Sequence, residues 1–260
     1  MADYQKIANE ARIAALKMIY AAQSSHIGSC FSIADILAVL FEKADLKKDK
    51  IILSCGWKAA IFYHFLAEKG FFPKEDLETF CQPGSPYIGL SEPIVPGVNY
   101  SGGSMGAGLP AAVGYALSKK LKEEEGTVYC LMSDGEQAIG TTHEAALIAK
   151  HHKLDNLVVI IDQNDLQAMG HIDDVLEIQP IEKKWDAWGW EWNFVNGHDH
   201  TYMDRAFNNV PITRLKPTVH IAYTTKGKGV SFMENNNLFH YKAPSKEEHE
   251  EALKELYELA

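Results

Sequence analysis

Hydrophobic and polar positions divide this chain into segments of two periods. Between Tyr4 and Ala22 the apolar residues Ile7, Ala11, Ala14, Ala15, Met18 and Ile19 recur at helical spacing, which predicts an amphipathic helix. Ser32 is placed to cap a second helix running through Phe41. Ile51-Ile52-Leu53 reads as a short buried strand, and Ala59 to Lys69 as a helix ended by Gly70. Two longer apolar runs, Thr127 to Met132 and Asn156 to Ile161, read as buried strands. Between them Thr142 to Lys150 is rich in good helix formers, so the three segments make one βαβ unit. Phe194-Val195 and Pro217 to Tyr223 predict further strands, and Ser245-Lys246-Glu247-Glu248 is a capping box for a last helix. Alternating strands and helices predict a three-layer α/β/α fold with a mostly parallel sheet.

Asp134 and Asn164 stand at the ends of the two strands of that βαβ unit. In parallel sheets ligands gather at the carboxyl ends of strands. A carboxylate, an amide oxygen and a nearby peptide carbonyl are the hard oxygen ligands of a Mg²⁺ site completed by substrate phosphates. The plainer alternative is two loop residues capping the segments that follow. The stretch Cys81 to Gly97, with four prolines and three glycines, reads as a long ordered loop, and such loops tend to be functional. Pro110 then occupies the first turn of a helix rich in small residues (Ala111, Ala112, Gly114, Ala116) that can pack closely against neighbours.

Composition narrows the classes. A net charge of −10 argues against a general nucleic-acid or anionic-membrane binder. Cys30, Cys55, Cys81 and Cys130 lie far apart with no C-x-x-C pair, so reduced, packed thiols in a cytoplasmic protein are expected. No apolar stretch approaches a membrane span, and no signal peptide precedes the first helix. The 260 residues suit one large domain, 1–260.

Ser133-Asp134-Gly135-Glu136, Lys153-Leu154-Asp155-Asn156-Leu157 and Asp162-Gln163-Asn164-Asp165-Leu166-Gln167 together resemble the thiamine diphosphate signature of the transketolase family. Other matches follow in order: His26-Ile27-Gly28, Pro96-Gly97-Val98, Gly103-Ser104-Met105-Gly106, Gly197-His198-Asp199, Lys226-Gly227-Lys228-Gly229, and His240 ahead of Ala243-Pro244. The resemblance covers about Tyr4 to Pro244. It implies a thiamine diphosphate-binding fold in which Asp134, Asn164 and the Leu166 carbonyl hold Mg²⁺. Gly135 would let the backbone approach the diphosphate, Gly103, Ser104, Met105 and Gly106 would contact the aminopyrimidine, and Ala168 would also lie against the cofactor. His26 and His240 would serve as catalytic residues lining the channel. His198-Asp199-His200 could chelate a metal in principle, although its family counterpart is a loop.

The chain also departs from the family. Ser54-Cys55-Gly56-Trp57 stands where a Lys-Gly-His sequence is usual, so Trp57 replaces an active-site histidine. Leu90 stands in place of a histidine that helps recognise a ketose hydroxyl, and Ile139 in place of an acid in a proton network. Asp165 replaces a glycine, and Met169 an acidic residue. The metal end therefore looks kept and the substrate end more apolar. The chain resembles the N-terminal subunit of a split transketolase, incomplete without a C-terminal subunit that carries the pyrimidine-binding domain, the pair forming a heterotetramer. Transfer of a two-carbon ketol or related acyl-anion unit is the expected activity. The alternatives are a thiamine-dependent carboligase with a 2-oxo acid donor, which the loss at Leu90 favours, and a non-catalytic scaffold subunit.

Overall fold

The computed structural model describes residues 2–259. Helix α1 (Tyr4–Ala22) begins where the Asp3 carboxylate accepts from the Lys6 backbone N–H, and its apolar stripe faces inward as predicted. The single helix expected from Ser32 is instead two, α2 (Ile27–Ser32) and α3 (Ala34–Lys43), joined at Ile33. Ser32 caps neither. Its hydroxyl is directed at the Asp162 carboxylate, 2.7 Å away. The hydroxyl is turned toward Asp162 and the Ser29 carbonyl, and in that orientation its oxygen makes no cap bond to a helix N–H.

Five strands follow among the described residues: β1 (Lys50–Leu53), β2 (Val128–Ser133), β3 (Leu157–Gln163), β4 (Glu191–Asn196) and β5 (Thr218–Tyr223). They pair in the order β1-β2-β3-β5-β4, and every pairing is parallel. Between and after them lie α4 (Ala59–Glu68), α5 (Gly108–Leu121), α6 (Gly140–His151), α7 (Ile172–Val175), α8 (Ile181–Ala187), α9 (His200–Asn208) and α10 (Lys246–Glu258). The Ser245–Glu248 capping box that starts α10 is formed in both directions. Cys81 to Gly97 is an irregular loop, as its prolines and glycines require.

Alternate residues of the strands feed two cores. Ile51, Leu53, Tyr129, Leu131, Val158 and Ile160 face the layer of α1–α4, α9 and α10. Ile52, Val128, Cys130, Met132, Val159 and Ile161 face α5, α6 and α8. Both faces of the central strands are thus buried, which is why their sequences are continuously apolar rather than alternating. Each fully buried aliphatic side chain contributes roughly 1.5–3 kcal/mol, so this three-layer sandwich holds the strand ends rigidly. The four cysteines are free thiols; Cys30, Cys55 and Cys130 are buried. Among the described residues no helix is long and apolar enough to cross a membrane.

Candidate active site

The β2–β3 register sets Ser133 opposite Asp162, so Asp134 and Asn164 leave the sheet at the same edge. Asp134 starts a 3-10 turn (Asp134–Ala138) in which the Ser133 and Glu136 side chains cap each other's backbone. Its Oδ1 accepts from the Gly135 N–H at 2.7 Å. Its Oδ2 accepts from the N–H groups of Asn164 and Asp165 at 3.1 and 2.8 Å. One carboxylate thereby ties the exit of β3 to the exit of β2. The Asn164 amide is oriented by its neighbours: Nδ2 donates to Asp162 Oδ2 at 2.9 Å, and Oδ1 accepts from the Leu166 N–H at 3.2 Å. Asp165 adopts the left-handed region at φ 60°. A glycine would take that conformation without strain, whereas aspartate is one of the few other residues that tolerate it.

Behind Asn164 lies a second buried carboxylate. Asp162 is bonded by Lys58 Nζ, Ser32 Oγ, Thr224 Oγ1 and Asn164 Nδ2. Burial alone would push its pKa up, but the Lys58 charge and these hydrogen bonds outweigh it and hold the group below the usual carboxylate range. Asp134 has no side-chain cation of its own. Burial, aided by the neighbouring Asp162 charge, pushes it up to about 7.

The strand ends open into a cavity of about 220 Å³. Asp134, Gly135, Asn164, Leu166, Ala168 and Met105 border it on one side, and His26, His240, Tyr241 and Trp57 on another. His26 and His240, from opposite ends of the chain, pack edge to face with ring centres 5.0 Å apart, and the His26 N–H donates to the His240 carbonyl at 2.9 Å. His26 occupies the left-handed region at φ 72°, held there by that bond. Lys226 approaches from below and donates from Nζ to His240 Nδ1 at 2.8 Å and to the Leu166 carbonyl at 3.0 Å. With Nδ1 accepting, the proton of neutral His240 sits on Nε2. Burial lowers His240 to about 3 and His26 to about 4, with Lys226 adding to both. Burial lowers Lys226 itself to about 8.

The glycine turn ahead of α5 is pinned at its last residue. Glu136 Oε1 accepts from the Gly106 N–H at 3.0 Å, and Thr141 Oγ1 donates to the Gly106 carbonyl at 2.9 Å. Gly106 has φ +73°, and a Cβ there would sit 2.4 Å from the Ile139 side chain, so only glycine fits. Glu136 also accepts from Ser54 Oγ and the Ser133 N–H, and burial raises its pKa. Gly103, Ser104 and Gly106 lie outside the cavity lining, whereas Met105 is part of it. Leu90, 36% exposed, flanks Gly103, its Cδ1 being 3.8 Å from where a Gly103 Cβ would stand.

Most expected site residues therefore border one cavity, Gly103, Ser104 and Gly106 excepted. Sequence reasoning passes over Lys58, Lys226, Glu136 and Tyr241. Lys226 stands inside a matched motif that assigns it no role; Lys58 carries no sequence signal, since its importance comes from Asp162 across the sheet. His198 and His200 do not form a chelate. Both bond to Asp35, at 2.7 and 2.8 Å, which also pairs with buried Arg12, while Asp199 caps α9. His198 Nε2 accepts from the Thr225 N–H at 2.8 Å.

The cavity fits Mg²⁺ and a diphosphate. Asp134, the Asn164 amide oxygen and the Leu166 carbonyl are hard oxygen donors, and Asp134 is a buried charge short of a counter-ion. The Leu166 oxygen keeps a second lone pair beside its bond from Lys226. No group of three or more His, Cys, Asp or Glu among the described residues could hold a metal alone. A cation here would rely on phosphate oxygens, as Mg²⁺ usually does.

Residues 3–259 match the family described as transketolase, thiamine diphosphate binding domain. The chain is 35% identical over 252 residues to one of the subunits of the apulose-4-phosphate transketolase from Phocaeicola vulgatus, covering 94% of this chain and 90% of that one. It is 32% identical over 250 residues to a 6-deoxy-6-sulfo-D-fructose transketolase subunit from Clostridium, covering 92% and 90%. The crystal structure of transketolase from Campylobacter jejuni superposes with a TM-score of 0.93 at 30% identity, over 98% of this chain but 42% of that one. The chain thus spans nearly all of its subunit-type relatives and about two-fifths of the longer enzyme.

Proposed function

Because the chain belongs to the transketolase family through its thiamine diphosphate-binding domain, we propose that it is the N-terminal subunit of a split transketolase-like transferase. It acts with a partner chain that carries the pyrimidine-binding domain, in a cytoplasmic heterotetramer, and moves a two-carbon ketol or related acyl-anion unit from a donor to an aldehyde. The carrying observation is the single cavity in which the oxygens of Asp134, Asn164 and Leu166 face the His26–His240 pair. Its subunit-type relatives have almost the same extent, which supports the partner.

Thiamine diphosphate, when bound, supplies a carbon that attacks a ketone carbonyl and stabilises the charge left by bond cleavage. The protein residues have simpler tasks. Asp134, Asn164 and the Leu166 carbonyl hold Mg²⁺, and the Lys226 ammonium adds a fixed positive charge. His240, neutral with its proton on Nε2, donates a hydrogen bond to an oxygen, and it can pass that proton on only as Nδ1 takes one from Lys226 Nζ, so that no imidazolate forms. His26 stays neutral for the same reason. Met105 and Ala168 furnish apolar wall. The 1–260 segment acts as one domain in this scheme.

Trp57 and Leu90 set the donor. A site for a polyhydroxylated ketose needs a partner for every buried hydroxyl, and each one left unpaired costs about 1–3 kcal/mol. Trp57 offers one indole N–H, and Leu90 offers none. The relatives named for a 6-deoxy-6-sulfo ketose and for apulose 4-phosphate accord with an atypically substituted donor. The test is reconstitution with a pyrimidine-domain chain and steady-state comparison of donors. We expect no turnover by the purified chain alone and poor use of xylulose 5-phosphate by the pair. Turnover without a partner refutes the split enzyme; xylulose 5-phosphate as the best donor, with Leu90→His neutral, refutes the donor reading.

A further inference from the structure

Lys58 ends the 3-10 turn Gly56–Lys58, immediately after Trp57, and its side chain is only 1% exposed. It forms an ion pair with Asp162 and also borders the cavity. The ion pair alone is a poor reason for a lysine here. Taking two charges out of water costs about as much as their attraction returns, and an apolar pair of equal volume serves stability as well or better. Asp162 moreover has three other donors, from Ser32, Thr224 and Asn164.

An ammonium carries three N–H groups. Among the described residues Asp162 is the single hydrogen-bond acceptor for Lys58 Nζ, so two ammonium N–H groups remain unpaired in a residue that borders the cavity. Buried donors are normally paired, and those that are not call for a partner from outside the chain. The cavity's other residues leave room for an anion there. His26 and His240 are neutral, and the Lys58 charge contributes to lowering both, so its field reaches across the space. Trp57 and Lys58 are adjacent in the chain and both border the cavity, one as an apolar wall and the other as a cation.

We propose that Lys58 is a binding residue for the diphosphate end of the cavity's ligand, donating its free N–H groups to phosphate oxygens. This rests on the thiamine diphosphate reading above. Asp162 then serves to hold the ammonium in position, and Lys58 is shared between a fixed carboxylate and a transient anion. Lysine suits this task as a compact point charge, and its neighbour Asn164 places it next to the metal oxygens without competing for them.

The experiment is calorimetric titration of the reconstituted complex with Mg²⁺ plus thiamine diphosphate, Mg²⁺ plus inorganic pyrophosphate, and thiamine. Asp162→Asn is compared with the double variant Lys58→Met/Asp162→Asn: neither leaves an unpaired buried carboxylate, the amide oxygen at position 162 still accepts from the ammonium in the first, and the step between them reads removal of the lysine from that hydrogen-bonded position. Melting temperatures establish that both fold, and Lys58→Arg in the native background gives a conservative check. We expect the step to weaken both diphosphate ligands by about tenfold or more, the scale of one charged hydrogen bond, with thiamine unaffected. Lys58→Arg should keep affinity within about threefold. A step below about threefold, or an equal loss for thiamine, overturns the proposal and leaves Lys58 as the counter-ion of Asp162. Failure of the native complex to bind thiamine diphosphate at all overturns the functional reading together with it.

Discussion

The ends of β2 and β3 each bury an aspartate, and the two are furnished oppositely. Asp162 at the end of β3 is met by an ammonium, two hydroxyls and an amide, all from side chains. Asp134, just beyond β2, is met only by backbone N–H groups. Burial penalises both, yet Asp162 lies below its ordinary range and Asp134 is raised to about 7. The difference separates scaffold from site. A carboxylate whose charge is answered within the chain holds the structure together, and one whose charge is left unanswered is where the proposed function places a cation.

The largest effect expected is on the scaffold side. Asp162→Ala leaves Lys58 buried without its partner and should cost about 3–5 kcal/mol in urea unfolding. A loss below about 1 kcal/mol would mean that Lys58 reaches solvent and that Asp162 is no anchor.

Asp134→Asn should behave oppositely: the fold survives, while Mg²⁺-dependent affinity for thiamine diphosphate falls on the order of a hundredfold by calorimetry. Without ligand, the folded chain keeps the Asp134 proton up to about pH 7, whereas an unfolded aspartate releases it near its ordinary 3.8. Between these values the folded state binds more protons. The stability from this group is therefore full below 3.8 and declines as pH rises to about 7, by up to about 4 kcal/mol. Asp134→Asn should remove that decline from unfolding curves recorded across the window. Asp162 has the opposite sign, its contribution being present above 3.8 and lost as pH falls further. Identical pH slopes in the native chain and Asp134→Asn would erase the contrast.

The smallest effect concerns the turn between them. Asp165→Gly relieves a left-handed residue but removes the carboxylate that accepts from the Gln163 side chain. The opposing contributions should leave stability within about 1 kcal/mol of native by thermal melting. A larger loss would give Asp165 a structural role comparable with Asp162.

Much of this is legible in the chain itself. Continuous apolar runs locate β2 and β3, and the strand-end position of Asp134 and Asn164 follows from them without any long-range information. The split between α2 and α3 is not legible, because Ser32 looks like a cap unless one knows that Asp162 lies 2.7 Å away. Lys58 and Glu136 are hidden for the same reason. Their partners are 104 and 30 residues distant, at Asp162 and Gly106, and local pattern carries no trace of such pairings. The left-handed backbone at His26 is equally silent, since it is imposed by a bond from the far end of the chain.

That bond, from the His26 N–H to the His240 carbonyl, also orders events during synthesis. A ribosome-bound chain can form α1 to α4 and the first three strands while the segment bearing Lys226 and His240 is still unmade. Closing a loop of this length is entropically slow, and parallel sheets of non-local strands join late. The cavity is therefore complete only once the segment bearing Lys226 and His240 has joined it. Until then Asp134, His26 and Trp57 lack the wall that His240 and Tyr241 supply.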